Sequence, residues 1–336
     1  MKKSLFLGFL SLSLFLLVQC KSASPKVFVD DAKPYQTLIT EKDLKEKLTK
    51  FASDEFEGRG TGEPGQKKAA DYVVNFYKSI GIGFPKTMTN YFQNVPGEYY
   101  SKTKPRNASD NILGFIEGSE KPEEILVISA HYDHDGIKNG VIYPGADDNG
   151  SGSVAVLEIA KAFAKAKAAG NGPKRSILFL HVTAEEIGLH GSRYYSENPV
   201  FPIENTIANI NIDMIGRRGT GKENDGNYVY LIGADRISQD LHDMADAATK
   251  KYSPIQVDFT FNDPKDPNRF YFRSDHYNFA KKGIPSMFYF SGVHADYHTV
   301  KDTADRIDYP LYLARTKAIF AVAWDLANAP NRPKAK

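Results

Sequence analysis

The apolar residues of this chain follow two alternating periods. Short runs that are largely apolar lie at Asn111 to Ile116, Glu124 to Ala130, Ser176 to Thr183, Thr206 to Ile212, Tyr228 to Ile232 and Pro285 to Phe290. Their length and their Val, Ile, Leu and Phe content predict strands, and Ile125-Leu126-Val127-Ile128 predicts one covered on both faces. Between these runs apolar residues recur at helical spacing. Leu44, Leu48 and Phe51 mark one face of a helix over Glu41 to Phe51. Ala70, Val73, Val74, Tyr77 and Ile80 mark another, opened by Pro64 and stopped by Gly81. Val154, Leu157, Ala160 and Phe163 do the same over Ser153 to Lys165, and further helices are predicted over Ile237 to Lys250 and Tyr309 to Leu326. Strands alternating with helices predict an α/β fold, a three-layer α/β/α sandwich with a central mixed, mostly parallel sheet.

The beginning of the chain breaks this pattern. Lys2 and Lys3 precede an apolar stretch from Leu5 to Val18, too short for a membrane span and without a positive flank beyond it. Residues 1–19 therefore read as a signal peptide. The stretch ends in Leu17-Val18-Gln19-Cys20, which resembles a bacterial lipobox and implies a lipid on Cys20, although Gln19 departs from the small residue usual there. Residues 20–40 are expected to be a tether and 41–330 the folded domain. The chain would then be exported and held at the cell envelope. Cys20 is the single cysteine, which excludes an internal disulfide, a Cys-based zinc site and a cysteine nucleophile. The formal net charge is +2, and removal of Lys2 and Lys3 brings it near zero, with no basic block that would speak for nucleic acid.

Candidate chemistry sits just after the predicted strands. Glu185 and Glu186 follow the run Ser176 to Val182, a place where two adjacent carboxylates repel each other and lose solvation. A cation offsets that cost. Other strand ends and loops supply His131-Tyr132-Asp133, Gly145-Ala146-Asp147-Asp148-Asn149-Gly150-Ser151-Gly152, Asn211-Ile212-Asp213-Met214 and Asp296-Tyr297-His298-Thr299. In open α/β sheets ligands bind beyond the carboxyl ends of the strands, so position and residue type agree. Two histidines and several carboxylates suit two zinc ions sharing one carboxylate. Singly, each piece has a plainer explanation: a helix start for the Glu pair, a turn for Gly145 to Gly152, a cap for Asp213, a surface histidine for His298.

Taken in order, these segments resemble the co-catalytic dizinc exopeptidase family that contains bacterial secreted aminopeptidases and glutamate carboxypeptidases. The resemblance runs from Asp54-Glu55-Phe56-Glu57-Gly58-Arg59 to Thr299-Val300-Lys301-Asp302-Thr303. It implies that His131 and Asp213 bind one zinc, that Glu186 and His298 bind the other, and that Asp148 bridges them. Asp147 is the competing bridge. It further implies a cis peptide after Asp148, an Asp133 carboxylate behind His131, and Glu185 as the general base toward the attacking water. The expected activity is a zinc-dependent exopeptidase, an aminopeptidase acting on peptides. The alternatives are a glutaminyl-cyclase-like acyltransferase with one zinc, a carboxypeptidase of the same fold, and a non-catalytic peptide-binding lipoprotein.

Residues outside that set stay open. Arg217 and Arg218 offer either substrate contacts or solvated loop charges. Phe270, Tyr271 and Phe272, in an expected irregular loop from Asn262 to Ser274, either wall a side-chain pocket or anchor the loop. Met214 and Tyr297 are expected to pack against ligands. His181, His190 and His242 are expected to be structural, and His134, His276 and His294 carry no assigned role.

Overall fold

A computed structural model describes residues 30–100 and 106–336. The expected signal peptide, Cys20 and the first part of the expected tether lie outside the described residues. Among the described residues there are ten strands: β1 Phe92–Val95, β2 Ser109–Ile116, β3 Lys121–His131, β4 Ile137–Lys138, β5 Val141–Ile142, β6 Arg175–Val182, β7 Thr206–Ile212, β8 Tyr228–Ile232, β9 Gln256–Asp258 and β10 Ser286–Phe290. Eight of them form one sheet in the order β1-β2-β6-β3-β7-β10-β8-β9, and β4 and β5 form a separate hairpin. The inner strands β6, β3, β7 and β10 run parallel, while β2 pairs antiparallel to β6 and β8 antiparallel to β10. The expected mixed, mostly parallel sheet is the sheet observed.

The helices are α1 Lys33–Gln36, α2 Glu41–Phe51, α3 Pro64–Ser79, α4 Gly97–Tyr100, α5 Gly152–Ala168, α6 His190–Glu197, α7 Ala234–Ile237, α8 Gln239–Tyr252, α9 His276–Ala280 and α10 Tyr309–Asn328. Side-chain alternation along β3 divides the layers. Leu126 and Ile128 join one buried cluster with α2, α3, α5, α8 and α10, while Ile125 and Val127 join another with Tyr195 of α6 and Phe279 of α9. Each long run therefore has both faces covered, which explains its unbroken apolar character.

Several boundaries follow from local chemistry. Thr40 caps α2 by accepting the Asp43 N–H at 3.1 Å, and Asp308 caps α10 by accepting the Leu311 N–H at 3.2 Å. The helix expected over Ile237 to Lys250 is α8, begun two residues later and preceded by the short α7. Ser238 sits between them in extended conformation and caps α8 through the Leu241 N–H. The strands β1 and β9 carry no sequence signal because they are short edge strands with exposed polar positions. The described part of the expected tether, residues 30–40, is packed onto the domain. Ala32 and Ile39 are buried, Tyr35 stacks on Trp324 at 5.2 Å, and the Gln36 amide donates to the Lys317 carbonyl at 3.0 Å. Packing onto the domain thus includes residues up to about ten before the expected boundary at Glu41, because Ala, Tyr and Ile here bury apolar surface that a polar-looking segment does not advertise.

Candidate metal and catalytic centre

The inner parallel strands all end at one edge of the sheet, and the candidate residues are there. His131 is the last residue of β3, Glu185 and Glu186 follow β6, and Asp213 follows β7. Asp148 lies in the tight turn Ala146–Ser151 that enters α5, and His298 lies in the turns after β10. His131 Nε2 is 3.3 Å from Asp213 Oδ1 and 3.4 Å from Asp148 Oδ1. His298 Nε2 is 2.9 Å from Asp148 Oδ2 and 3.2 Å from Glu186 Oε2. The two oxygens of Asp148 thus face different histidines, each accompanied by its own carboxylate. Three overlapping sets, His131 with Glu185 and Asp213, His131 with Asp148 and Glu186, and Asp135 with Glu186 and His298, each bring their ligand atoms within 4.8 Å of one another.

The competing bridge, Asp147, points elsewhere. Its Oδ1 accepts the Gly216 N–H at 2.6 Å and its Oδ2 lies 3.3 Å from His294 Nε2. Asp302 accepts the backbone N–H groups of Asp147 and Asp148, each at 3.0 Å, and Asn149 ties the turn to the end of β7 through Ile212 and Met214. The peptide between Asp148 and Asn149 is cis. Asp133 is buried behind His131. Its Oδ1 lies 3.8 Å from His131 Nδ1 and accepts the Glu185 N–H at 3.1 Å, and its Oδ2 accepts from Thr61 at 2.8 Å. His131 Nδ1 meets the Asp133 backbone carbonyl at 3.2 Å, while the Asp133 carboxylate lies behind the ring and holds the backbone of the candidate base.

Burial pushes the Glu185 carboxyl well above its ordinary range, and the charges of Glu186, Asp275 and Asp213 add to the push while His131 opposes it. Glu186 is raised by burial and by Asp148. His298 is pushed up to about 10 because Asp135, Asp148 and Glu186 outweigh the burial that would lower it. This is excess negative charge in a low-dielectric place, the condition a divalent cation relieves. His298 Nε2 points to the same end. It is buried, within 3.2 Å of two carboxylate oxygens, and makes no hydrogen bond among the described residues, so it faces the place a cation would occupy. The donor set of imidazole nitrogens and carboxylate oxygens fits zinc.

Several residues that shape the centre carried no role in the sequence. Arg59 is fully buried and donates to the carbonyls of Tyr132, Phe51, Pro144 and Gly145 at 2.6 to 2.9 Å, clamping the loops that follow His131 and precede Asp148. Its guanidinium is depressed to about 10 by burial, against the pull of Asp302 and Asp148. Ser274 donates to Asp213 Oδ2 at 2.7 Å, and His134 meets Glu186 at 2.7 Å. The pattern Gly58-Arg59-Gly60 marks a loop, yet a buried cation satisfied by four carbonyls has no local signature.

Two spaces open from the glutamate pair. One is a small pocket of about 30 Å³ lined by Asp148, Glu185, Asp213 and the apolar side chains Met214, Phe270, Phe288, Phe290 and Val293, with Tyr297 and Arg273 at its margin. The other is a cleft of about 390 Å³ that reaches Glu186 and His134 and is walled by Thr61, Glu63, Ile137 and Lys138. Phe270 is thus a pocket wall. Tyr271 packs under the Arg236 guanidinium at 4.0 Å, and Phe272 packs on Tyr277, so these two anchor the loop. Arg217 pairs with Asp296 at 2.9 Å and Arg218 with Asp308 at 3.1 Å, which makes both structural. His181 is buried against Tyr77, and His276 stacks on Phe288 away from the ligands.

Against known families, residues 111–323 match the model of Peptidase family M28. A "Probable leucine aminopeptidase" of Arthroderma otae is 28% identical over 299 residues, covering 85% of this chain and 77% of the relative. Among solved structures, a zinc aminopeptidase from Bacillus subtilis superposes with a TM-score of 0.65 at 16% identity, covering 87% of this chain and 96% of that one. Porphyromonas gingivalis glutaminyl cyclase superposes with a TM-score of 0.65 at 18% identity, covering 85% and 98%. At such identities the structures share the fold, and the chemistry must be read from the centre itself.

Proposed function

The chain belongs to Peptidase family M28, and we propose that it works as a zinc-dependent aminopeptidase that releases N-terminal residues from peptides. The observation that carries this reading is the asymmetry around the glutamate pair. A small pocket lined by Met214, Phe270, Phe288, Phe290 and Val293 beside the carboxylates lies on one side, and a much larger cleft lies on the other. A protein cutting within chains would need open passage on both sides. The relative named a probable leucine aminopeptidase supports a free N-terminus as the end that is recognised. Arg217 and Arg218, which a carboxypeptidase would have used, are already engaged by Asp296 and Asp308.

In this reading His131 and Asp213 hold one zinc ion, Glu186 and His298 a second, and Asp148 is shared. Bound zinc supplies Lewis acidity toward the scissile carbonyl and makes water a better nucleophile at neutral pH. The pairing of His131 with Asp213 across 3.3 Å favours hydrolysis over a one-zinc cyclase, whose ligand set would be smaller. Glu185 takes the proton of the attacking water and passes it to the leaving amine, its backbone held by Asp133. The pocket walls place the first side chain, and the cleft receives the remainder of the peptide. The same reading includes a lipid on Cys20 and a place at the cell envelope, supported by the pattern from Lys2 to Cys20.

Glu185→Gln tests the central role. Glutamine keeps the shape but cannot take the proton. Both metals should remain bound while turnover falls about a hundredfold to ten-thousandfold. Glu186→Gln should instead lose metal and recover part of its activity with added zinc. If Glu185→Gln is the variant that loses metal, the two roles are reversed. If neither changes turnover, the reading is wrong.

A further inference from the structure

The five residues His131-Tyr132-Asp133-His134-Asp135 leave β3 as a single loop, and four of them touch different members of the centre. His131 is itself a candidate ligand, and Asp133 stands behind it. His134 is buried and its Nδ1 lies 2.7 Å from Glu186 Oε1, which makes that nitrogen the donor and the carboxylate the acceptor. Asp135 Oδ2 lies 3.4 Å from His298 Nδ1, the ring nitrogen opposite the one that faces Asp148 and Glu186.

We propose that His134 and Asp135 are positioning residues for the Glu186–His298 half of the centre, doing there what Asp133 does for the His131 half. The inference rests on the two-zinc reading above. A carboxylate at Nδ1 keeps the proton on that nitrogen and leaves Nε2 bare, the tautomer a ligand needs. A donor on Oε1 of Glu186 occupies one oxygen and leaves Oε2, the atom facing His298, for the metal. Lys138 Nζ sits 2.6 Å from Asp135 Oδ2 and pairs with that carboxylate from the side away from His298's metal-facing nitrogen.

The loop is braced for this task. The His134 N–H donates to the Arg59 carbonyl at 3.2 Å and the Gly136 N–H to the Gly58 carbonyl at 3.0 Å. Gly145 packs against the His134 ring so closely that a Cβ there would lie 2.4 Å from its carbons, and its φ of +56° also favours glycine. The ring meets His298 edge-on at 5.4 Å. The enclosed His134 ring has no space to swing away, so its support acts on a fixed geometry.

Competition between the apoprotein and a chromophoric zinc chelator tests the proposal without reference to turnover. The unmodified protein should bind two equivalents of zinc. Asp135→Asn and His134→Gln should each weaken one equivalent by about 10–100-fold and leave the other unchanged. Asp133→Asn should weaken the other equivalent. Denaturant unfolding of each apoprotein should match the parent, which separates lost ligation from lost folding. Asp135→Asn with both affinities unchanged, or with both reduced together, overturns the proposal. So does a His134→Gln variant that loses one equivalent entirely, as His298→Gln should, because His134 would then be a ligand. Only one equivalent in the unmodified protein contradicts the two-zinc reading itself, a separate outcome.

Discussion

The two sides of the glutamate pair are built from different material. The small pocket takes Phe288 and Phe290 from β10 and Met214 from the residue after Asp213, with Phe270 and Val293 added by loops, so its buried floor is an extension of the sheet. The large cleft is walled by the loop from Glu57 to Pro64 and by the loop and hairpin from His134 through Lys138. Phe288, Phe290 and Met214 are at least 97% buried, whereas Ile137 is 53% exposed. Sheet walls are close-packed and cannot yield without disturbing the core, while loop walls can adjust. The difference assigns strict selection to the first residue of a substrate and tolerant reception to the residues after it.

Filling the sheet-built pocket should have the larger effect. Val293→Phe adds an aromatic ring beside Phe290 and should lower kcat/KM for substrates beginning with Leu or Met by about tenfold to a hundredfold, the range a few methylenes command in a tight pocket. Substrates beginning with Gly or Ala should lose far less. A uniform loss across the panel would mean that the pocket does not receive the first side chain.

What the sequence reveals divides along the same line. Strands reveal themselves through continuous apolar runs, so the ends of β3, β6 and β7 are visible, and with them His131, Glu185, Glu186 and Asp213. Asp148 and His298 lie in loops, where residue type marks them as candidates but only resemblance to a family gives them a role. Asp135 reads as an ordinary turn residue until the fold brings His298 beside it, and Arg59 as a loop cation until four carbonyls close around it. Long-range satisfaction of polar groups leaves no local period. The short helix α1 and the edge strands β1 and β9 are hidden for a related reason, being too brief to establish a pattern.

A smaller effect is expected on the loop-built side. Ile137 and Val141 are two of the five exposed large apolar residues described, both on the β4–β5 hairpin, and Ile137 lines the cleft. Ile137→Ser should lower kcat/KM about fivefold for peptides of four or more residues, the loss of one partial apolar contact of about 1 kcal/mol. Single-residue amides, which do not reach the hairpin, should be cleaved as before. Equal losses on short and long substrates would remove the cleft from substrate binding and leave the asymmetry without meaning.

The central claim is that the first residue of a free N-terminus is placed in the small pocket while the chain leaves through the larger cleft. One peptide of mixed sequence, offered with a free and with an acetylated N-terminus and followed by mass spectrometry, tests it most directly. Stepwise loss of residues from the free N-terminus, with the acetylated peptide left intact, is the predicted result. Release of residues from the C-terminus of either peptide would contradict it, and would make Arg273, exposed at the pocket margin, the candidate anchor for a terminal carboxylate.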